Sequence, residues 1–136
     1  MGNMTNIERS KKAIELVLNY ERNQGRDAKD VSNDRAHPGY DVISDNRLIE
    51  VKGIGESWNT YNWQPLYRTE RECLRNNPEK FYLYIIKFKD RESEQVEGFY
   101  IIPGTDLESP KFHVEVETYS VSPISKKHLI EFLKYL

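Results

Sequence analysis

One stretch limits the possible folds more than any other: Phe81 to Phe88 reads FYLYIIKF, with a single charged residue in the run. Its aromatic and β-branched content marks a strand buried on both faces, central in a sheet rather than at an edge. Helices must then flank that sheet. At the N-terminal end, Ile7, Ile14, Val17, Leu18 and Glu21 fall on one helical stripe behind a cap at Thr5 or Asn6, and Gly25 is placed to end it. At the other end, Leu129, Phe132, Leu133 and Leu136 pattern as an amphipathic helix entered through Ser122-Pro123 or Ser125.

Between these helices the chain alternates. A polar stretch from Arg26 to Gly39 has room for a short strand around Ala28 to Val31. Tyr40–Ser44 and Arg47–Lys52 then read as a β-hairpin around the tight turn Asp45-Asn46, and Gly53 and Gly55 break its second strand. An aromatic-rich loop carries Trp58, Tyr61 and Trp63. Thr69 followed by Glu72 is the capping-box pattern for a helix that Asn77-Pro78 stops. Gly98–Ile102 returns beside the apolar strand after a charged loop, and Phe112–Val116 alternates as a strand with one wet face. The expected order is α-β-β-β-α-β-β-β-α, a single α/β (α+β) domain over residues 1–136 with a mixed central sheet.

Composition removes several classes of function. Twenty basic and 22 acidic residues leave a net charge of −2, so the chain does not coat nucleic acid through bulk charge, although local phosphate contacts remain open. Cys73 is the only cysteine, which rules out an internal disulfide and a cysteine-based zinc site, and its helical setting reads as a small buried hydrophobe. No apolar run approaches membrane-spanning length and no signal-peptide core is present, so the expected place is the cytoplasm, without a membrane.

The chemistry concentrates on the hairpin. Glu50 and Lys52 are two apart and leave the same face of their strand, while Ile49 and Val51 take the opposite face into the core. Asp41, on the neighbouring strand, reaches the same region if the register permits. Two carboxylates suit a hard cation such as Mg²⁺, and a lysine beside them can orient a water or help deprotonate it, with burial and metal charge lowering its pKa. The spacing alone leaves two readings open, since a surface ion pair on a wet sheet face satisfies it, and Asp27 and Lys29 repeat it elsewhere. Glu21, three residues after Leu18, is either a water-contacting margin of its stripe or a functional carboxylate.

GYDVIS followed by RLIEVKG resembles the motif of the PD-(D/E)XK nucleases. More narrowly, it resembles the nuclease-like domain at the C-terminus of the plant NO VEIN protein and in many bacterial proteins. The matching pieces are Tyr20-Glu21, Gly25-Arg26, Gly39-Tyr40-Asp41, Ile49-Glu50-Val51-Lys52, Thr69 with Glu72, and Tyr82-Leu83-Tyr84, spread from about Ala13 to Pro103. Tyr40 stands where the superfamily name has proline, with Pro38 displaced by two. The resemblance implies a restriction-endonuclease-like core with Asp41 and Glu50 as ligands of Mg²⁺ or Mn²⁺. It further implies that the Val51 backbone carbonyl completes the shell, that Lys52 orients water, and that Glu21 is an additional helix-borne acid.

Other features carry paired readings. Arg68, Arg71 and Arg75 at helical spacing form either a ridge for backbone phosphates or a solvated face beside Glu70 and Glu72. Trp58 and Tyr61 either stack on unpaired bases or fold back as a lid, and Trp63 reads as a lid. Glu72 reads as a capping residue and His37 as a loop residue, with His113 and His128 too far away in sequence for a histidine metal site. The leading expectation is a Mg²⁺-dependent endonuclease that hydrolyses DNA in restriction, phage defence or repair. A catalytically inactive module of the same fold that binds DNA or a protein is the alternative, and an assembly subunit with exposed aromatics is the third. RNA as substrate, and recognition through a homodimer or partner subunit, stay open.

Overall fold

The computed structural model describes residues 4–34, 36, 38–56, 64–115 and 120–136, with backbone only at 64, 65, 113–115 and 120. The expectations for His37, Trp58, Tyr61 and Trp63 lie outside the described residues.

Helix α1 (Asn6–Asn23) starts where Thr5 Oγ1 accepts the Glu8 N–H at 3.1 Å. It ends in a turn where Gly25 takes φ +83°, a left-handed conformation that glycine adopts without strain. Its buried side comprises Arg9, Ala13, Ile14, Val17, Tyr20 and Glu21, whereas Ile7 is 70% exposed and does not belong to the stripe. Strands β1 (Ala28–Asp30), β2 (Val42–Ser44) and β3 (Arg47–Ile54) follow, then the short β4 (Gln64–Pro65) and helix α2 (Arg68–Asn76). After them come β5 (Phe81–Phe88), β6 (Val96–Pro103), the single-turn α3 (Gly104–Leu107), β7 (Phe112–Glu115) and β8 (Ser120–Pro123).

The main sheet is mixed and five-stranded, in the order β1-β2-β3-β5-β6. Only β3 and β5 run parallel, and α2 lies in the crossover between them. As expected, the apolar strand β5 is flanked on both sides. Tyr84, Ile86 and Phe88 turn to the α1 side with Val17, Ile49, Val51 and Phe99. Phe81, Leu83 and Ile85 turn to the α2 side with Cys73, Leu74 and Leu107. The sheet thus separates two cores, and strand alternation decides which core each side chain joins.

Three expectations are corrected. Phe112–Glu115 does not extend the main sheet; it pairs with β8 in a small second sheet ordered β4-β8-β7. The C-terminal amphipathic helix is absent, replaced by 3₁₀ turns at Lys126–His128 and Leu133–Tyr135. Between them the chain bridges the edge of β6: the Phe132 N–H donates to Phe99 O at 2.8 Å, and Glu131 Oε1 accepts the Phe99 N–H at 3.1 Å. Satisfying that open edge outweighs helical periodicity. Finally, α2 is entered at Tyr67, two residues before the expected cap at Thr69. Among the described residues, no helix is long and apolar enough to cross a membrane.

Candidate functional site

The site grows from the pairing of the hairpin. Asp41 immediately precedes β2; its N–H donates to Ile49 O at 2.8 Å and its carbonyl accepts from the Val31 N–H at 2.8 Å. Its carboxylate Oδ2 accepts the Val51 N–H at 3.0 Å. Asp41 therefore grips β3 on both sides of Glu50, and the two carboxyl groups line one cleft, close enough to influence each other's charge.

A helix closes the cluster from the other direction. Gly39 takes φ +92°, and a Cβ there would stand 2.3 Å from the Thr69 carbonyl oxygen. Glycine lets the loop of Asp41 press against the first turn of α2. That turn delivers Glu70, whose Oε1 accepts the Tyr67 N–H at 3.2 Å and lies 3.0 Å from Lys52 Nζ. Lys52 Nζ is also 3.1 Å from Glu50 Oε2 and 5.2 Å from the centre of the Tyr67 ring. Asp41, Glu50, Thr69, Glu70, Ser32 and Asp34 line a small cleft of about 90 Å³. Glu50 is 6% exposed, so the alternative of an ion pair on a wet sheet face does not describe this cluster.

Burial dominates the protonation of the cluster. It pushes Glu50 well above the usual carboxylate range; Lys52 pulls back, while Asp41 and Glu70 push further. Burial likewise raises Asp41 against the hydrogen bond from Val51. For Lys52, burial would lower the ammonium, but Glu50 and Glu70 more than offset it and its pKa is raised. The expected lowering of the lysine does not occur in this state: Lys52 is a firmly held cation.

These residues fit a hard divalent ion. Two carboxyl groups pressed together out of water repel when both ionise, and a cation between them removes that cost. Among the described residues, no group of three His, Cys, Asp or Glu side chains forms a ready metal cage. Mg²⁺ commonly makes do with one or two carboxylates, taking its other oxygens from water and phosphate.

The structure does not join Glu21 to this cluster. Glu21 is fully buried on the α1 side, bound by Arg26 Nε at 2.6 Å and Nη2 at 2.9 Å, and by the Tyr84 hydroxyl at 2.8 Å. Arg47 Nη1 donates to that same hydroxyl at 2.6 Å. Burial would raise Glu21, yet the hydrogen bonds from Arg26 and Tyr84 and the charge of Arg26 lower it overall. The apolar stripe tolerates Glu21 because it is paired, neither as a wet margin nor as a member of the Asp41–Glu50 group.

The family model described as Protein NO VEIN, C-terminal, matches residues 9–102, more than half of the chain. The chain belongs to this family. No curated protein matches it. The matched span runs from α1 into β6, and its motif pieces now divide between the two faces. Tyr20-Glu21 and Gly25-Arg26 build the internal ion pair on the α1 side. Gly39-Tyr40-Asp41 and Ile49–Lys52 build the cleft on the α2 side.

Of the remaining residues singled out from sequence, Arg68 and Arg75 are exposed, and Arg71 turns toward a separate cavity lined by Leu74, Leu107 and Phe112. The three do not share one exposed ridge. Arg68 pairs with Glu72 at 3.1 Å, and Glu72 is not the capping carboxylate. That role belongs to Glu70, which sequence reading left as an acidic neighbour. Counting three residues from Tyr67, rather than from Thr69, would have found it. Val51 supplies its N–H to Asp41 and buries its side chain beneath α1. Cys73 is buried, and burial raises its thiol, in keeping with an inert core residue.

Proposed function

We propose that this domain is a metal-dependent nuclease of the PD-(D/E)XK type, acting on the phosphodiester bonds of DNA. One observation carries the reading: Asp41 and Glu50 are brought into contact in a buried cleft, beside a lysine cation, by the pairing of two adjacent strands. Asp41, Glu50 and the Val51 backbone carbonyl would hold Mg²⁺ or Mn²⁺. Held there, such an ion would supply Lewis-acid polarisation of the phosphoryl group and stabilisation of charge on the leaving oxygen.

The chain's own groups perform the rest. Asp41, locked by three hydrogen bonds, sets the position of the ligand pair with little freedom to rearrange. Lys52, held as a cation, orients the attacking water and counters the negative charge that grows on the phosphoryl oxygens. The water oxygen forms the new bond to phosphorus and gives up a proton to solvent, while the bond to the sugar oxygen breaks and that oxygen takes a proton from solvent to leave as a hydroxyl. Glu21 takes no part. Restriction, phage defence and DNA repair are the settings in which such an activity serves. Trp58, Tyr61, Arg68 and Arg75 are the proposed contacts to the nucleic acid, and RNA remains a second substrate class to assay.

One observation favours a second reading, a non-catalytic DNA- or protein-binding module: the Lys52 ammonium is already engaged by Glu50 and Glu70. Incubation of plasmid and linear DNA with wild type, Glu50→Ala and Lys52→Ala, in Mg²⁺, Mn²⁺ and chelator, separates the two. The nuclease reading expects cation-dependent cleavage that both substitutions abolish while the far-ultraviolet spectrum is kept. Salt-sensitive DNA binding without cleavage in any cation would support the module instead.

A further inference from the structure

Lys52 sits in a cage whose walls come from two different elements. Glu50, on its own strand, is 3.1 Å from Nζ; Glu70, on the first turn of α2, is 3.0 Å away. The Tyr67 ring, 5.2 Å from Nζ, covers a third side. The two carboxylates are not equivalent. Glu50 also touches Asp41, so the same group is asked to serve a cation and the lysine. Glu70 lines the same cleft but stands on a separate helix. Its carboxylate is fixed by the Tyr67 N–H at 3.2 Å, and its helix turn is pinned by the close approach of Gly39 to the Thr69 carbonyl.

We propose that Glu70 is a positioning residue: it keeps the Lys52 ammonium at the cleft when the oxygens of Glu50 are drawn to a cation. The inference rests on the nuclease reading above and deepens it. A lysine side chain carries four rotatable bonds, and an ammonium that loses one of two anchors gains freedom to leave the geometry the reaction needs. An anchor on a separate helix holds Lys52 without depending on which way the Glu50 side chain turns. The motif on the hairpin alone would leave Lys52 with a single partner that is also a ligand.

Capping and positioning by Glu70 are separable. A glutamine at position 70 still accepts the Tyr67 N–H, so Glu70→Gln leaves the helix start intact and removes only the charge toward Lys52. The experiment follows the Lys52 ammonium by ¹⁵N-resolved NMR of lysine side chains in wild type, Glu70→Gln and Glu50→Gln, without and with Mg²⁺, beside thermal melts. Wild type should keep a slowly exchanging Lys52 signal in both conditions, and Glu50→Gln should keep it through Glu70. Glu70→Gln should melt like wild type and lose the signal once Mg²⁺ is added. On DNA, Glu70→Gln should lose about 10²-fold in kcat with little change in KM, and Glu70→Asp should recover part of it. A Lys52 signal that persists in Glu70→Gln with Mg²⁺, or one that Mg²⁺ alters in no variant, overturns the proposal, as does a wild-type kcat in Glu70→Gln. Because the signal reads Glu70 directly, a wild type that cleaves nothing yet shows the Glu70-dependent signal refutes the nuclease reading alone.

Discussion

Glu21 and Glu50 are buried carboxylates on opposite faces of the same sheet, and their surroundings treat them in opposite ways. Glu21 receives two charged hydrogen bonds from Arg26 and one from Tyr84, and it ionises more readily than an ordinary glutamate. Glu50 shares one lysine with Glu70 and lies against Asp41, and it resists ionising. A fold that only needed to bury a charge would treat both like Glu21. On the α2 side, the place of the proposed cation, two glutamates share a single lysine instead.

Substitutions on the two faces should therefore split activity from stability. The largest effect is expected on the α2 side, where Glu50→Ala should reduce cation-dependent cleavage by about 10³-fold, some 4 kcal/mol of barrier. Its melting temperature without metal should stay level or rise, which a paired assay and melt would check. Next comes Arg26→Ala, which leaves Glu21 charged, buried and short of its main partner. It should cost about 3 kcal/mol in urea unfolding, while cleavage per folded molecule is unchanged. A fall in cleavage without a fall in stability for Arg26→Ala would break the division between the faces.

The pH dependence sharpens the same comparison. The folded value of Glu21 lies below the ordinary 4.5, so the stability it lends is present above that value and fades as pH falls through the lowered one. Asp41 and Glu50 behave in the reverse sense. Folded, they keep protons that the unfolded chain releases, so metal-free stability declines as pH rises from the ordinary carboxylate range through their raised values. Melts of the metal-free protein across pH 3 to 9 should show both limbs. Glu21→Gln should flatten the acid limb, and Asp41→Asn the upper one. The smallest effect belongs to Arg68, exposed and paired with Glu72 on the same helix face. Arg68→Ala should change stability by less than about 0.5 kcal/mol, yet lower the salt slope of DNA binding by about one if it meets a phosphate.

How much of this was legible beforehand follows from the range of each interaction. The apolar strand β5 and the facing of Glu50 with Lys52 depend on alternation within a single strand, and both were readable. The meeting of Asp41 with Glu50 needed only the hairpin register, which the Asp45-Asn46 turn constrains. Glu70 was missed because its carboxylate reaches Lys52 across a tertiary contact, and because Thr69 with Glu72 imitates a cap. Glu21 was visible as an anomaly, but Tyr84, its partner 63 positions away, was not. The C-terminal periodicity misled because the open edge of β6, a feature of the assembled sheet, claimed those residues for itself.

Calorimetric titration of Mg²⁺ and Mn²⁺ into wild type and Asp41→Asn probes the cleft without relying on any substrate. Asparagine keeps an oxygen for the Val51 N–H, so the backbone geometry is retained and only the ligand charge is lost. Saturable binding heat in wild type, absent in Asp41→Asn and accompanied by a rise in wild-type melting temperature, is the predicted result. Equal heats for the two proteins would contradict the assignment of the Asp41–Glu50 pair as a cation site.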